Sequence, residues 1–253
     1  MKKNLFIVKV GTTFPDTGRE YGDFDSWTLN GLGSGKNAIR VIDAEHGDQL
    51  PDADKCSGVV VTGSHDMVTD NLPWSVRVAE WIPVLMDREV PFLGICYGHQ
   101  LLAHALGGKV GFNPKGTEVG TVDINLLPEC ADDPLFQSVP STFPVHATHR
   151  QTVITLPEGA VRLAMNRFEP NHAFRVGKCA WGVQFHPEYT ADIMRSYIMN
   201  EKKDLIHEGI DIGPILDSVK ETPAAASILR RFNEFAIYIY RVNNSEVVYD
   251  QVL

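Results

Sequence analysis

Cysteine is scarce in this chain. There are 4 among 253 residues, Cys56, Cys96, Cys130 and Cys179, spaced 40, 34 and 49 positions apart. No pair has CxxC spacing, which excludes a zinc ribbon, a thioredoxin-type redox motif and a disulfide-dense secreted scaffold. Positive charge is also in short supply. Lys and Arg total 23 against 32 Asp and Glu, a net charge of −9. With no Lys/Arg cluster to neutralise a run of phosphates, nucleic acid is a poor partner. No apolar run is long enough to span a bilayer. The chain opens with Met1-Lys2-Lys3 like a leader peptide, but Lys9 interrupts the apolar residues 5–10 and no cleavage pattern follows. These absences lead us to expect a cytoplasmic protein with reduced thiols and no membrane association. Its 43% hydrophobic content suffices for a sizeable core without staples.

What is present has α/β texture. Residues 5–10, 38–43, 58–62 and 90–95 are short apolar, β-branched runs separated by Gly-, Pro- and Asp-rich stretches. Continuous apolar runs suit strands buried on both faces. Trp74, Val78, Trp81, Ile82 and Leu85 repeat at helical spacing behind Pro73, and a second helix is expected over residues 25–32, ended by Gly31, Gly33 and Gly35. Residues 121–126 alternate strictly, as in a half-buried antiparallel strand. Further short strands are expected over 152–156, 161–165, 173–176 and 180–185. Thr190 can cap a helix, and Thr222-Pro223 can open another with an apolar stripe through Ile228, Leu229, Phe232, Phe235, Ala236 and Ile239. The fold class is therefore α/β, a central mostly parallel sheet flanked by helices with added antiparallel strands. We expect a domain over residues 1–200 and a C-terminal helical extension over 201–253.

Gly94-Ile95-Cys96-Tyr97-Gly98 is the most informative segment. A buried strand runs into it, and a helix with Leu101, Leu102, Ala105 and Leu106 on one face follows. This is the nucleophile-elbow pattern with sulfur in place of hydroxyl. Glycines two residues to either side let neighbouring chain approach, and the helix N-terminus favours a thiolate. The Tyr97 N–H points where an oxyanion would form. The other three cysteines have no such frame and read as ordinary buried thiols.

A thiol nucleophile needs a histidine partner, and that histidine needs an orienter. Ala180-Trp-Gly-Val-Gln-Phe-His186-Pro187-Glu188 supplies both: an apolar strand ends in His186, and Glu188 at i+2 can point the same way. Pro187 stops the strand.

The two segments together resemble the class I, or triad-type, glutamine amidotransferase family. The resemblance rests on Gly94-Ile-Cys96-Tyr-Gly-His-Gln100 and Gly182-Val-Gln-Phe-His186-Pro-Glu188, supported by Ala105-Leu-Gly-Gly-Lys-Val110 and Val59-Val-Val-Thr-Gly63-Ser64. The spelling is most similar to the glutaminase domain of GMP synthase and its free-standing relatives. The resemblance runs from about residue 5 to about residue 197. It implies a flavodoxin-like fold and hydrolysis of the glutamine side-chain amide to glutamate and ammonia, with no cofactor. It also implies roles: Cys96 as nucleophile, His186 as proton carrier, Glu188 as its orienter, and the N–H groups of Gly63 and Tyr97 as the oxyanion hole. Gln100, Thr148 and His149 fall at positions that contact substrate in the family.

Three features depart from that pattern or mimic another. Ser64 is followed by His65 where the family commonly has proline, and His65 is assigned no role. Gly31-Leu-Gly-Ser-Gly35-Lys36-Asn37 lacks the spacing and the Ser/Thr of a phosphate loop and reads as a turn. His146 and His149 have no carboxylate or cysteine at ligand spacing and read as loop residues, with no metal. No Ser-Gly-Gly-type phosphate loop of a synthase domain is present. The resemblance thus implies a glutaminase acting with a separate synthase subunit. A stand-alone hydrolase of γ-glutamyl peptides or amides is the alternative, and an inactive binding module a weaker one, since all three triad positions are filled.

Overall fold

In the first strand, β1 (Asn4–Lys9), consecutive residues are apolar because both faces are covered. Leu5 and Ile7 enter one core; Phe6 and Val8 enter the other. The same logic runs through β3 (Cys56–Val61), where Val60 packs to one side and Val59 and Val61 to the other. The computed structural model describes residues 3–33 and 38–243. Residues 34–37, which hold most of the glycine turn read from the sequence, lie outside them.

The remaining strands are β2 (Ile39–Asp43), β4 (Phe92–Ile95), β5 (Lys109–Phe112), β6 (Glu118–Leu126), β7 (Thr142–His149), β8 (Gln151–Thr155), β9 (Val161–Met165), β10 (Ala173–Val176) and β11 (Ala180–Val183). Among the described residues, nine of the eleven strands form one sheet in the order β2-β1-β3-β4-β11-β10-β9-β6-β7. The first five are parallel, and their order is that of a doubly wound sheet. From β11 outward every pairing is antiparallel. β5 and β8 pair as a separate two-stranded ribbon. Pro144 is tolerated within β7 because that strand is an edge.

Helices cover both faces. α3 (Pro73–Asp87) and α4 (Tyr97–Ala105) pack on one. α3 starts at Pro73 and continues through Pro83. On the other face lie α2 (Phe24–Leu32) and α8 (Pro223–Asn243). α2 begins one residue earlier than expected because Asp23 and Ser26 form a capping box. Thr190 caps α5 (Ala191–Asn200) through its hydroxyl, which accepts from Ile193 N–H. Thr222 precedes α8 as expected, but its buried hydroxyl makes no hydrogen bond; only its carbonyl is used, by Ala226 N–H. Among the described residues, three short helices complete the set: α1 (Pro15–Tyr21), for which the sequence carried no signal, and α6 (Lys202–His207) and α7 (Ile212–Ser218), which fall in the segment expected to be a helical extension. With α5 they enclose a third apolar cluster containing Phe24, Trp27, Tyr189, Ile193, Tyr197 and Leu205.

His146 and His149 correct the sequence reading: they lie on strand β7, buried, and not in a loop. β7 carries few of the usual strand signals, and its partner β6 imposes the extended backbone through an eight-residue register.

The α8 stripe is built into the main core. Ile228, Leu229, Phe232 and Ala236 are inaccessible and share a cluster with Leu5, Val60 and Trp181. Phe232→Ala should cost about 3–5 kcal/mol of stability in urea unfolding. A loss below about 1 kcal/mol would contradict the place of α8 in the core.

Candidate active site

Parallel strands end on the same side of a sheet, so the loops after β3, β4 and β11 converge. They deliver Gly63, Cys96 and His186 to one place. Cys96 lies at φ 49° and ψ −95°, a conformation costly for any residue with a Cβ. The strain is imposed by close packing. A Cβ on Gly94 would sit 2.2 Å from the Gly98 carbonyl oxygen, and one on Gly98 would sit 2.5 Å from the Val61 carbonyl oxygen. Gly98 N–H donates to the Thr62 carbonyl (3.2 Å), tying the elbow to β3. Tyr97 opens α4, so its N–H is among those a helix leaves unpaired. Its side chain turns away and bonds Ser75 (2.7 Å).

His186 Nδ1 lies 2.7 Å from Glu188 Oε1, and both side chains are buried. The ring is sandwiched, with Tyr189 stacked at 4.1 Å and Phe24 at 6.4 Å. Gly63 lies against it: a Cβ there would be 3.1 Å from His186 Cε1. Burial alone would strip the ring of its proton. The charges of Glu188 and Cys96 outweigh that and lift its pKa to about 10. The neighbouring histidines behave oppositely. Burial and the positive His186 push His65 and His146 down to about 4. The cysteines divide in the same way by environment. Burial pushes Cys56 up to about 12 and Cys130 and Cys179 to about 11, well away from reactive thiolates.

Cys96, Tyr97, Gln100, Thr148, His149 and His186 all line one cavity of about 240 Å3. The Cys96 sulfur is 3.9 Å from the Thr148 carbonyl oxygen. Gln100 is buried and its amide nitrogen is committed to the Gln151 carbonyl (2.9 Å) and Gln184 Oε1 (3.0 Å). The His149 ring does not reach out to a ligand. Its Nε2 faces Glu118 Oε2 (2.9 Å) and its Nδ1 faces the Gln151 carbonyl (3.0 Å). Glu118 also accepts from Asn166 (2.7 Å) and lies 3.1 Å from His172.

Three further residues in or next to the cavity were given no role by the sequence. Arg150 pairs with Glu201 (3.3 Å) and Glu208 (3.2 Å) at the mouth. His65 lies against Phe14 in a tilted ring contact (4.4 Å) and faces the Tyr197 hydroxyl (3.2 Å). Gln184 Nε2 donates to the Cys96 sulfur (3.4 Å). Gln184 stood inside the quoted motif and alternates with His186, a signal that was available. Asp43, Glu45 and His46 bring possible metal ligands within 4.8 Å of one another, but none lines the cavity.

The model of the glutamine amidotransferase class-I family matches residues 25–204. The chain is 32% identical over 196 residues to gamma-glutamyl peptidase 4 of Arabidopsis thaliana, covering 75% of this chain and 76% of that one. It is 37% identical over 144 residues to a glutamine-hydrolyzing GMP synthase of Porphyromonas gingivalis, covering 56% of this chain but 27% of the synthase. Among solved structures, a glutamine amidotransferase from Thermotoga maritima superposes with a TM-score of 0.71 at 25% identity, over 94% of this chain and 99% of that one. The protein belongs to the class-I glutamine amidotransferase family. Both named relatives are hydrolytic enzymes, and this chain is read as one of that class. Among the described residues no helix is long and apolar enough to cross a membrane.

The raised His186 pKa carries a stability signature. Relative to an unfolded value near 6.5, its ion pair lends stability fully below about pH 6.5 and loses it as pH rises through about 10. The stability advantage of the wild type over Glu188→Gln should therefore be greatest near pH 6.5 and shrink toward pH 10 in urea unfolding. An advantage that grows with pH would contradict the pairing.

Proposed function

We propose that the protein hydrolyses a γ-glutamyl amide through a thioester on Cys96. The carrying observation is the strained cysteine at a strand-to-helix turn beside a buried, charge-raised His186. The Cys96 thiolate attacks the amide carbon. The carbonyl π pair moves onto oxygen, and the oxyanion rests on the N–H groups of Gly63 and Tyr97. One such donor is worth about 3 kcal/mol of barrier. The C–N bond breaks as His186 gives its proton to the leaving amine. Water, deprotonated by His186, then attacks the thioester, and sulfur leaves as the thiolate. Glu188 keeps Nδ1 protonated and the ring in place throughout. Thr148 presents its carbonyl to the sulfur side, and Gln100 forms part of the cavity floor.

Glutamine is the simplest substrate, with ammonia as the leaving group, passed on to an acceptor held by a separate synthase subunit. One observation favours a second reading, stand-alone hydrolysis of γ-glutamyl peptides: the plant peptidase matches about three-quarters of both chains, whereas the synthase matches in about a quarter of its own length. On either reading the compartment is cytoplasmic and residues 201–253 are an extension of the catalytic domain.

The separating experiment is steady-state glutamate and amine release by the pure chain. Fast turnover of γ-glutamyl peptides with poor glutamine hydrolysis supports the peptidase. Weak turnover of all substrates, restored for glutamine by a synthase subunit, supports the glutaminase. In both cases Cys96→Ser should lower kcat by at least about a thousandfold, and retained turnover would remove Cys96 as nucleophile. A diazo-ketone analogue of glutamine should label Cys96 alone, as read by peptide mass mapping.

A further inference from the structure

The proposed mechanism approaches the sulfur from the His186 side and leaves a buried polar chain on another side unused. Its links are Glu118 Oε2 to His149 Nε2 (2.9 Å), His149 Nδ1 to the Gln151 carbonyl (3.0 Å), that carbonyl to Gln100 Nε2 (2.9 Å), Gln100 Nε2 to Gln184 Oε1 (3.0 Å), and Gln184 Nε2 to Cys96 Sγ (3.4 Å). The side chains of Glu118, His149, Gln100 and Gln184 are all buried.

The direction of every link follows from one fixed point. A backbone carbonyl only accepts, so the Gln100 group facing the Gln151 oxygen must be its NH2. The second hydrogen of that NH2 then needs an acceptor, which obliges Gln184 to present its oxygen. The Gln184 NH2 is thereby turned to the sulfur. On the far side, His149 faces two groups that only accept, a carbonyl and a carboxylate, so both its ring nitrogens act as donors. The end of the chain is anchored by a charge. Burial opposes ionisation of Glu118, but His149 and His172 outweigh it and hold the carboxyl well below the usual carboxylate range.

We propose that Glu118, His149, Gln100 and Gln184 form a second, buried relay whose last member donates a hydrogen bond to Cys96 and favours its thiolate. Gln184 touches the reacting sulfur. Glu118 and His149 are positioning residues that act through Gln100 and Gln184. A donor to sulfur is worth more against the thiolate than against the thiol, because hydrogen bonds to charged acceptors are the stronger kind. This inference rests on Cys96 being the nucleophile, and it gives His149 a place behind the site instead of against the substrate.

The test is the rate of Cys96 alkylation by iodoacetamide across pH, with the adduct mapped by mass spectrometry. Alkylation needs no substrate, so it reads the relay apart from turnover. Gln184→Met keeps the bulk and removes the donor; the alkylation midpoint should move up by about one pH unit or more. Gln184→Glu keeps the shape and should move it further up; it serves if Gln184→Met does not fold. Glu118→Gln should move the midpoint up by a smaller amount, and should add nothing in a Gln184-substituted background. An effect of Glu118 through the bulk field alone would have the opposite sign, since removing a negative charge eases thiolate formation. A midpoint unmoved by either Gln184 change, lowered by Glu118→Gln, or shifted equally by Glu118→Gln in both backgrounds would overturn the relay. A relay that passes in a protein hydrolysing no γ-glutamyl amide would instead overturn the proposed function.

Discussion

Cys96 holds a backbone conformation that a side chain resists, and the resistance is overcome by three backbones packed too closely to admit a Cβ at Gly94 or Gly98. Much of the site follows from that packing. It forces the chain to turn sharply out of β4, so that α4 begins at Tyr97, the residue next to Cys96. It draws α4 against β3, which fixes where Gly63 can lie. It also depends on β3, β4 and β11 being buried on both faces: an elbow held by van der Waals contact needs neighbours on every side that cannot retreat.

Around the elbow the protein sorts its ionisable groups by burial and partnership. Burial, with the positive His186 beside them, drives His65 and His146 toward neutrality, and burial drives the three remaining cysteines toward inert thiols. Two buried groups escape because each meets an opposite partner: His186 through Glu188, and Glu118 through His149 and His172. The first pair faces the cavity. The second lies behind it and is joined to the sulfur only by hydrogen bonds. Beside the sulfur, the one histidine held charged is His186, packed between Phe24 and Tyr189; Arg150 and Glu201 lie in the same pocket and pair with each other.

Much of this was legible in the sequence where a local rule applied. The doubly buried strands gave continuous apolar runs, α3 and α8 gave clean stripes, and the cysteine and histidine segments carried their own turns. Illegible parts depended on distant chain. β7 is a strand that pairs with β6, and Pro144 and the two histidines mask the alternation of Phe143, Val145 and Ala147 that signals it. His149 therefore looked like a loop residue open to substrate, when its ring is turned inward to Glu118, a residue whose burial no local pattern announces. Thr222 had the right type and place for a cap, but its hydroxyl is buried away from the amides it would serve. Gln184 was in plain view, and only the direction of its amide, set by Gln100 and the Gln151 carbonyl, was hidden.

The position of α8 bears on how the chain is made. Its apolar stripe covers the same face of the sheet to which β1, β3 and β11 contribute, and Asn233 donates to the Leu32 carbonyl at the end of α2 (3.0 Å). During synthesis every strand has left the ribosome some forty residues before that cover arrives (β11 ends at Val183, and α8 starts at Pro223). Until then Leu5, Ile7, Val60 and Trp181 lack part of their apolar cover, with α2 alone of the two helices on that face in place. Cys96 belongs to that same apolar cluster, so the reactive turn is packed in part by a helix made well after it.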